Sequence, residues 1–382
     1  MKIVLAFDSF KGCLSAEDVC RAAKEGILSV REDAELVSMP LSDGGEGLVQ
    51  CFLRMGKAHE VNVKVHGPLM EEVEATYALS HDGETAYMEM ASACGLTLVP
   101  EDKRNVMDAT TYGLGEMMAD AWERGVRHIV LGIGGSATCD AGVGMLEALK
   151  SHRCLSGNTS KEVLPQPLNR CRRHRLTDID DIDQPTSTRS ILTVACDVDN
   201  PLYGEEGAAY VFAPQKGANS EQVKLLDERL KAFAKETEEQ GMATPEDAFH
   251  PGAGAAGGLG YALLTYLGAE LKPGVDVVLD ACGFDDVLKG GDVVITGEGC
   301  SDEQTTRGKV AAGVLKRAKQ QGVKTVLMSG KIKEKDMLEA YGFDTLYGIN
   351  EGEERPLSEL MNPDVAKENI KKTCQRMMQE GI

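Results

Sequence analysis

The chain has 382 residues, which is long for one compact unit, and its 42% hydrophobic and 27% charged residues are typical of a globular protein. A formal net charge of −20 repels phosphate backbones and therefore disfavours a nucleic acid partner. No segment approaches the ~18 consecutive apolar residues of a membrane span. The first apolar run is too short for a signal peptide, and the 11 cysteines are spread singly, so we expect reduced thiols in the cytoplasm.

Strand and helix patterns alternate near both ends of the chain, which favours an α/β fold. A buried strand is predicted over 3–7, and Ser15 is predicted to cap a helix whose apolar face runs from Val19 to Val30. A strand over 35–39 and a helix over 46–55 follow. Near the other end, the patterns predict a strand over 292–296, a helix over 309–320, and strands over 324–328 and 344–348.

The segment between these two regions has a different pattern. Alternating apolar and polar residues over 60–99, with a turn at 81–84, predict antiparallel hairpins. We therefore expect a second domain inserted into the first. The predicted domains are 1–61 with 289–382, and 62–288.

Several predicted strands end in loops that carry glycines, carboxylates, hydroxyls or lysines. These loops are DSFKG (8–12), PLSDGGEG (40–47), GIGGSAT (132–138), DVDNP (197–201) and GEGCSDEQTTRGK (297–309). Ligands of open α/β sheets bind at the carboxyl ends of the strands. Glycine turns can bind phosphates through backbone N–H groups, carboxylates can hold Mg²⁺, and lysines can neutralise a transferring phosphoryl group. The combination favours phosphoryl transfer.

Two other functions are compatible with parts of this pattern. An NAD-dependent oxidoreductase of a small hydroxy acid would explain the glycine patterns, but it leaves the Lys309 block and the carboxylates without a role. A sugar-acid sensor without catalysis would bind the same ligands, but the sequence has no DNA-binding motif or basic patch. A Walker-type P-loop is absent, and no His-Glu-x-x-His motif predicts a zinc site.

Seven sequence blocks, in order along nearly the whole chain, resemble those of the bacterial glycerate kinase family. They are DSFKG (8–12), LSDGGEG (41–47), GIGGSAT (132–138), ACDVDNPL (195–202), VFAPQKGA (211–218), PGAGAAGGLG (251–260) and GEGCSDEQTTRGK (297–309). The resemblance implies a flavodoxin-like parallel-sheet domain with an inserted mixed-sheet domain. It also implies ATP with Mg²⁺, D-glycerate as acceptor, and 2-phosphoglycerate, favoured here, or 3-phosphoglycerate as product.

On this basis we expect direct in-line transfer in a cleft between the two domains of a monomer or homodimer. The predicted catalytic residues are Asp197, Lys309, Asp8 and Lys11, with Asp197 as general base or metal-linked carboxylate. Asp197 and Asp43 are the predicted metal ligands. The predicted substrate-binding and nucleotide-binding residues are Ser9, Asp43, Gly44, Gly45, Glu46, Gly134, Gly135, Ser136, Asn200, Gly254, Gly297, Glu298, Asp302, Gln304 and Thr305.

One segment departs from the family pattern. Residues 150–177 are rich in arginine, histidine and cysteine and lack the glycine-bearing sequence expected there. We hypothesise that this stretch is locally out of frame, which resequencing of the gene would test.

Overall fold

The computed structural model describes residues 1–42, 44, 47–152 and 191–382. Contacts between their Cα atoms divide the chain into two units, Met1–Gly47 with Gly274–Ile382, and Leu48–Pro273. The predicted boundaries at 61 and 288 lie further along the chain. They differ because the helix Leu48–Arg54 contacts strands of the second unit, whereas the helices Gly274–Cys282 and Phe284–Leu288 contact the helix Val310–Gln321 of the first.

Strands and helices are numbered along the chain. The first unit begins with β1 (Lys2–Phe7), α1 (Ala16–Leu28) and β2 (Glu35–Ser38). The second unit contains α2 (Leu48–Arg54), β3 (Ala58–His66), β4 (Glu72–Ser80), β5 (Thr85–Glu89), α3 (Ala91–Cys94), α4 (Tyr112–Glu123), β6 (His128–Gly132), α5 (Val143–Ser151), β7 (Ile191–Ala195), α6 (Ala208–Phe212), α7 (Ser220–Glu239), α8 (Ala255–Leu267) and β8 (Glu270–Lys272). The first unit resumes with α9 (Gly274–Cys282), α10 (Phe284–Leu288), β9 (Val293–Gly297), β10 (Cys300–Ser301), α11 (Val310–Gln321), β11 (Lys324–Ser329), β12 (Lys331–Ile332), α12 (Lys335–Tyr341), β13 (Thr345–Gly348), α13 (Leu357–Leu360) and α14 (Pro363–Glu380).

The first unit is built on a five-stranded parallel sheet in the order β13-β11-β9-β1-β2. This is the 2-1-3-4-5 strand order of flavodoxin-like sheets, in which ligands bind at the carboxyl edge. On one face, Ile3, Leu5 and Phe7 pack against α1 and α14. On the other face, Leu327 packs against Leu315 of α11 and neighbouring residues. Burial on both faces explains why β1 and β9 have continuous apolar runs.

The second unit contains a mixed six-stranded sheet in the order β3-β4-β5-β6-β7-β8. Strands β3, β4 and β5 pair antiparallel, as the alternating pattern predicted, and β5 to β8 pair parallel. The parallel half of this sheet therefore also has a carboxyl edge, where the loops after β5, β6 and β7 lie side by side.

The α/β class with parallel strands is confirmed, and so is most of the predicted local structure. The Ser15 side chain accepts a hydrogen bond from the Asp18 N–H at 3.1 Å, which caps α1 as predicted. One detail is wrong: Val30 lies beyond the end of α1 and is 36% exposed, because the helix ends at Leu28. Among the described helices, none has the length and apolar character needed to cross a membrane.

Candidate active site

The predicted loops after β1 and β9 lie against each other at the carboxyl edge of the first unit. Strands β1 and β9 pair in register, with Phe7 opposite Gly297, and the Asp8 N–H donates to the Gly297 carbonyl at 3.1 Å. A Cβ placed on Gly299 would lie 3.5 Å from the Lys11 nitrogen. Strand pairing therefore brings together two loops that are almost 300 residues apart in the sequence.

Gly297 is required by the packing of the sheet. A Cβ on this residue would lie 1.7 Å from the carbonyl oxygen of Met328 on β11, a distance that no side chain can adopt. Gly297 is a predicted ligand-binding residue because it follows a predicted strand. The structure shows a packing requirement at the same position, which sets the backbone from which Glu298 extends.

Glu298, Thr305 and Lys309 form a connected polar group next to Asp8. The Glu298 carboxylate accepts one hydrogen bond from the Thr305 hydroxyl at 2.6 Å and one from the Lys309 ammonium at 2.9 Å. Burial by itself lowers the pKa of Lys309, but Glu298, with Asp302 and Asp8, raises it above the ordinary lysine value. Lys309 is therefore a charged lysine with its side chain 32% exposed.

The remaining predicted residues of this edge lie on the same two loops. Asp8 is buried, and its carboxylate accepts a hydrogen bond from the Ser9 N–H at 2.6 Å. Lys11 and Gln304 are exposed to solvent. Asp302 caps a short 3-10 helix by accepting from the Gln304 N–H at 3.1 Å. Of these side chains, Asp8 and Asp302 lie near enough to the Lys309 ammonium to favour its charged form.

Lys333 is a residue that the sequence analysis missed. Its ammonium lies 3.4 Å from the Asp302 carboxylate. It follows β12, which pairs with β10 directly before Asp302. A two-residue strand such as β12 gives no readable pattern, so no sequence signal linked Lys333 to this edge.

In the second unit, a glycine turn follows β6 at the carboxyl edge of its sheet. Gly134 and Gly135 are exposed, and Gly135 has a φ of +70°, which favours glycine. The N–H groups of Gly134, Gly135 and Ser136 donate no hydrogen bond to any described residue. Consecutive N–H groups that donate to no described residue are available to bind an anion.

Lys216 lies behind this turn and was not among the predicted site residues. Its ammonium donates to the Ser136 hydroxyl and to the Thr138 carbonyl, both at 2.7 Å, and the residue is 3% exposed. Burial lowers the pKa of Lys216 to about 8. The block VFAPQKGA contains Lys216, but a single lysine in a short block does not predict burial.

The loop after β7 carries Asp197 and Asn200 beside the glycine turn, because β6 and β7 pair with Gly132 opposite Ala195. Asp197 is exposed, whereas the Asn200 carbonyl accepts a hydrogen bond from the Gly254 N–H at 2.9 Å. Gly254 is buried, and a Cβ there would lie 2.1 Å from the Pro201 carbonyl. The structure thus uses the Gly254 N–H to join two loops.

Three predicted site residues, Asp43, Gly45 and Glu46, lie outside the described residues. Gly44 is described: it is buried, and its N–H donates to the Ser42 hydroxyl at 3.1 Å. The atypical segment is likewise outside the described part of the chain from residue 153 onward.

Comparison with known proteins identifies the family of this chain. The model of the glycerate kinase family matches residues 3–380. The chain belongs to the glycerate kinase family. The family resemblance predicted from the seven sequence blocks is therefore confirmed, and the chain is an enzyme of this family.

Individual relatives agree with the family assignment. The chain is 43% identical to the glycerate kinase of Bacillus subtilis (strain 168), over 92% of this chain and 91% of the relative. It is 39% identical to the glycerate 2-kinase of Escherichia coli (strain K12), over 91% of this chain and 90% of the relative. A crystal structure from Salmonella typhimurium LT2, provisionally named glycerate kinase 2, superimposes with a TM-score of 0.80 at 36% identity and covers 99% of both chains.

The side chains available as metal ligands determine how this chain would hold Mg²⁺. Among the described residues, no group of three or more His, Cys, Asp or Glu side chains could hold a metal ion. Mg²⁺ is commonly held by one or two carboxylates together with water and substrate phosphates, so a full protein cage is unnecessary. The exposed Asp197 carboxylate fits an ion bound in this way.

Proposed function

We propose that this enzyme transfers the γ-phosphoryl group of ATP to D-glycerate, with 2-phosphoglycerate as the product. The family match over residues 3–380 carries this proposal. The choice of product is supported by the relative from Escherichia coli, whose name specifies a 2-kinase. The charged Lys309 beside Glu298 and the open N–H groups of the glycine turn supply the groups that phosphoryl transfer needs.

In the proposed reaction, the 2-hydroxyl oxygen of glycerate attacks the γ-phosphorus in line with the leaving group. The bond between that phosphorus and the β–γ bridging oxygen breaks, and ADP leaves with the bond's electron pair. Asp197 accepts the hydroxyl proton. The N–H groups of Gly134, Gly135 and Ser136 bind phosphate oxygens, and Asn200 lies on the same loop as Asp197.

The residues of the other edge neutralise and orient charge in this proposal. Lys309 and Lys11 pair with phosphate or with the glycerate carboxylate. Asp8 and Ser9 contact the glycerate hydroxyls. Glu298, Asp302, Gln304 and Thr305 hold the loop that carries Lys309, which the hydrogen bonds of Glu298 to Lys309 and Thr305 support.

Mg²⁺ is the proposed cofactor, and it would neutralise charge on the phosphate chain. Asp197 and Asp43 are its proposed ligands. The predicted interdomain cleft, the monomer or homodimer and the cytoplasmic location stay predictions. The alternative of an NAD-dependent oxidoreductase receives no support from the family or its relatives.

The proposal is tested by incubating the protein with Mg²⁺, ATP and D-glycerate and following the products by ³¹P NMR. We expect ADP and 2-phosphoglycerate in equal amounts. Formation of 3-phosphoglycerate would overturn the proposed position of transfer. Release of inorganic phosphate without a phosphorylated acid, or NADH formation when NAD replaces ATP, would overturn the kinase itself.

A further inference from the structure

We propose that Lys216 is a positioning residue that supplies the positive charge of a phosphate subsite formed by the turn 134–136. The inference rests on the proposed function, since it assigns the phosphates of ATP to this turn. No sequence pattern indicated Lys216, and its charge gives a physical reason for an anion to bind at the turn.

The buried charge of Lys216 has no ion-pair partner among the described residues. A buried ammonium is costly unless a charged partner compensates it. Among the described residues, no carboxylate lies within ion-pair distance of Lys216, and its two hydrogen-bond acceptors are the neutral Ser136 hydroxyl and Thr138 carbonyl. A bound anion would supply the compensating charge.

The titratable groups near Lys216 do not compensate its charge fully. Asp140 favours the charged form of the lysine, whereas burial raises the pKa of the Cys139 thiol to about 11, so this thiol is neutral where Lys216 titrates. The Asp140 carboxylate, however, is engaged by the Thr111 N–H and hydroxyl at 2.8 Å and by the Gly142 and Gly144 N–H groups at 3.2 Å. Asp140 therefore fixes the start of α5, and its charge does not offset the burial of Lys216, since the pKa of the lysine stays lowered, at about 8.

The turn 134–136 also has N–H donors that an anion could accept from. The N–H groups of Gly134, Gly135 and Ser136 donate to no described residue, and the two glycines are exposed. Lys216 fixes the hydroxyl of Ser136 and the carbonyl of Thr138, which bracket the end of the same turn. A phosphate group, with several acceptor oxygens, can accept from adjacent N–H groups while the buried charge behind them stabilises it.

The test compares Lys216→Met and Lys216→Arg with the wild type in steady-state kinetics. We expect Lys216→Met to raise KM for ATP about tenfold, since a charge-assisted interaction is lost, while KM for D-glycerate is unchanged. Lys216→Arg should recover most of the ATP affinity. Lys64→Met is the matched control, because Lys64 is an exposed lysine of the same unit, and it should leave both constants unchanged.

A pH series on the wild type tests the inference without any variant. KM for ATP should rise between about pH 7 and about pH 9.5 as Lys216 loses its proton, whereas Lys216→Arg should show no such rise because a guanidinium does not titrate there. A wild-type KM for ATP that is flat over this range, together with an unchanged KM for ATP in Lys216→Met, would overturn the inference. So would a Lys216→Met variant that raises only KM for D-glycerate, or one that melts early with normal KM for ATP.

Binding separates this inference from the proposed function. Calorimetric titration with ATP measures the subsite even if no phosphoglycerate is formed. ATP binding that weakens in Lys216→Met supports the subsite whatever the acceptor is. A wild type that phosphorylates D-glycerate while Lys216→Met binds ATP normally would overturn the subsite and leave the kinase standing.

Discussion

Glu298 holds Lys309 in place from the end of β9: the two charged groups lie 2.9 Å apart, and the other carboxylate oxygen of Glu298 accepts from Thr305 at 2.6 Å. The carboxylate is therefore fixed at both oxygens, and the Glu298 side chain is only 12% exposed. Partial burial strengthens this ion pair relative to one in water. The pair both orients the lysine and keeps it charged.

Replacing Glu298 by Gln should lower kcat about tenfold to a hundredfold, because Lys309 loses the group that orients it. The pKa of Lys309 should also fall, since burial then acts without the carboxylate that raises it. The alkaline limb of the pH–rate profile should consequently move to lower pH. Glu303→Gln is the matched control, because it removes an exposed ion pair to Arg307 on the same loop and should change neither quantity. An unchanged kcat and profile in Glu298→Gln would remove the positioning role.

Replacing Asp197 by Asn should reduce kcat roughly a thousandfold, because the proposed acceptor of the hydroxyl proton is lost. The melting temperature should change little, since asparagine keeps the size and hydrogen-bonding capacity of this exposed side chain. Asp199→Asn, two residues away and also exposed, is the matched control and should retain most of the activity. Equal losses in the two variants would argue for a general effect of loop charge.

Local sequence patterns predicted the strands of the first unit because burial of both faces leaves a direct record in the sequence. The predicted strand over 292–296 became Val293–Gly297, and the one over 324–328 became Lys324–Ser329. The pairing of Asp8 with Gly297 is different in kind. It depends on the strand order of the sheet, which no window of a few residues contains.

The second unit shows the same limit for single residues. The buried Lys216 ammonium donates a hydrogen bond to the carbonyl of Thr138, which lies 78 residues earlier in the chain. Gly254 is among the predicted substrate-binding and nucleotide-binding residues, yet its N–H donates to the Asn200 carbonyl. In both cases a distant loop decides the role of the residue, so residue type and spacing alone could not.

Replacing Gly297 by Ala should destabilise the protein by about 1–3 kcal/mol, because the new methyl group forces β9 away from β11. The clash is with a backbone carbonyl, which cannot rotate aside, at 1.7 Å. Urea denaturation followed by circular dichroism measures the change in the free energy of unfolding. Gly299→Ala is the matched control, since its Cβ would lie at an ordinary 3.5 Å from the Lys11 nitrogen. Similar losses in both variants would contradict this account of the sheet.

Glu147 should make stability depend on pH near neutrality. Burial, with a smaller contribution from Asp140, raises the pKa of Glu147 from 4.5 to about 7. Between these two values the folded chain binds more protons than the unfolded chain, so the free energy of unfolding falls as pH rises through this window. The stabilising contribution is complete below pH 4.5 and is lost above about pH 7.

Glu147→Gln should therefore be more stable than the wild type at about pH 8, by roughly 1–2 kcal/mol after allowing for solvent screening, and nearly equal to it at about pH 5. Urea denaturation at both pH values measures the difference. Glu228→Gln, at an exposed position on α7, is the matched control and should track the wild type at both. The expected effect depends on the free-energy cost of charging the Glu147 carboxylate inside the protein. If the stability of Glu147→Gln relative to the wild type is the same at both pH values, the Glu147 carboxylate is better solvated than its burial indicates.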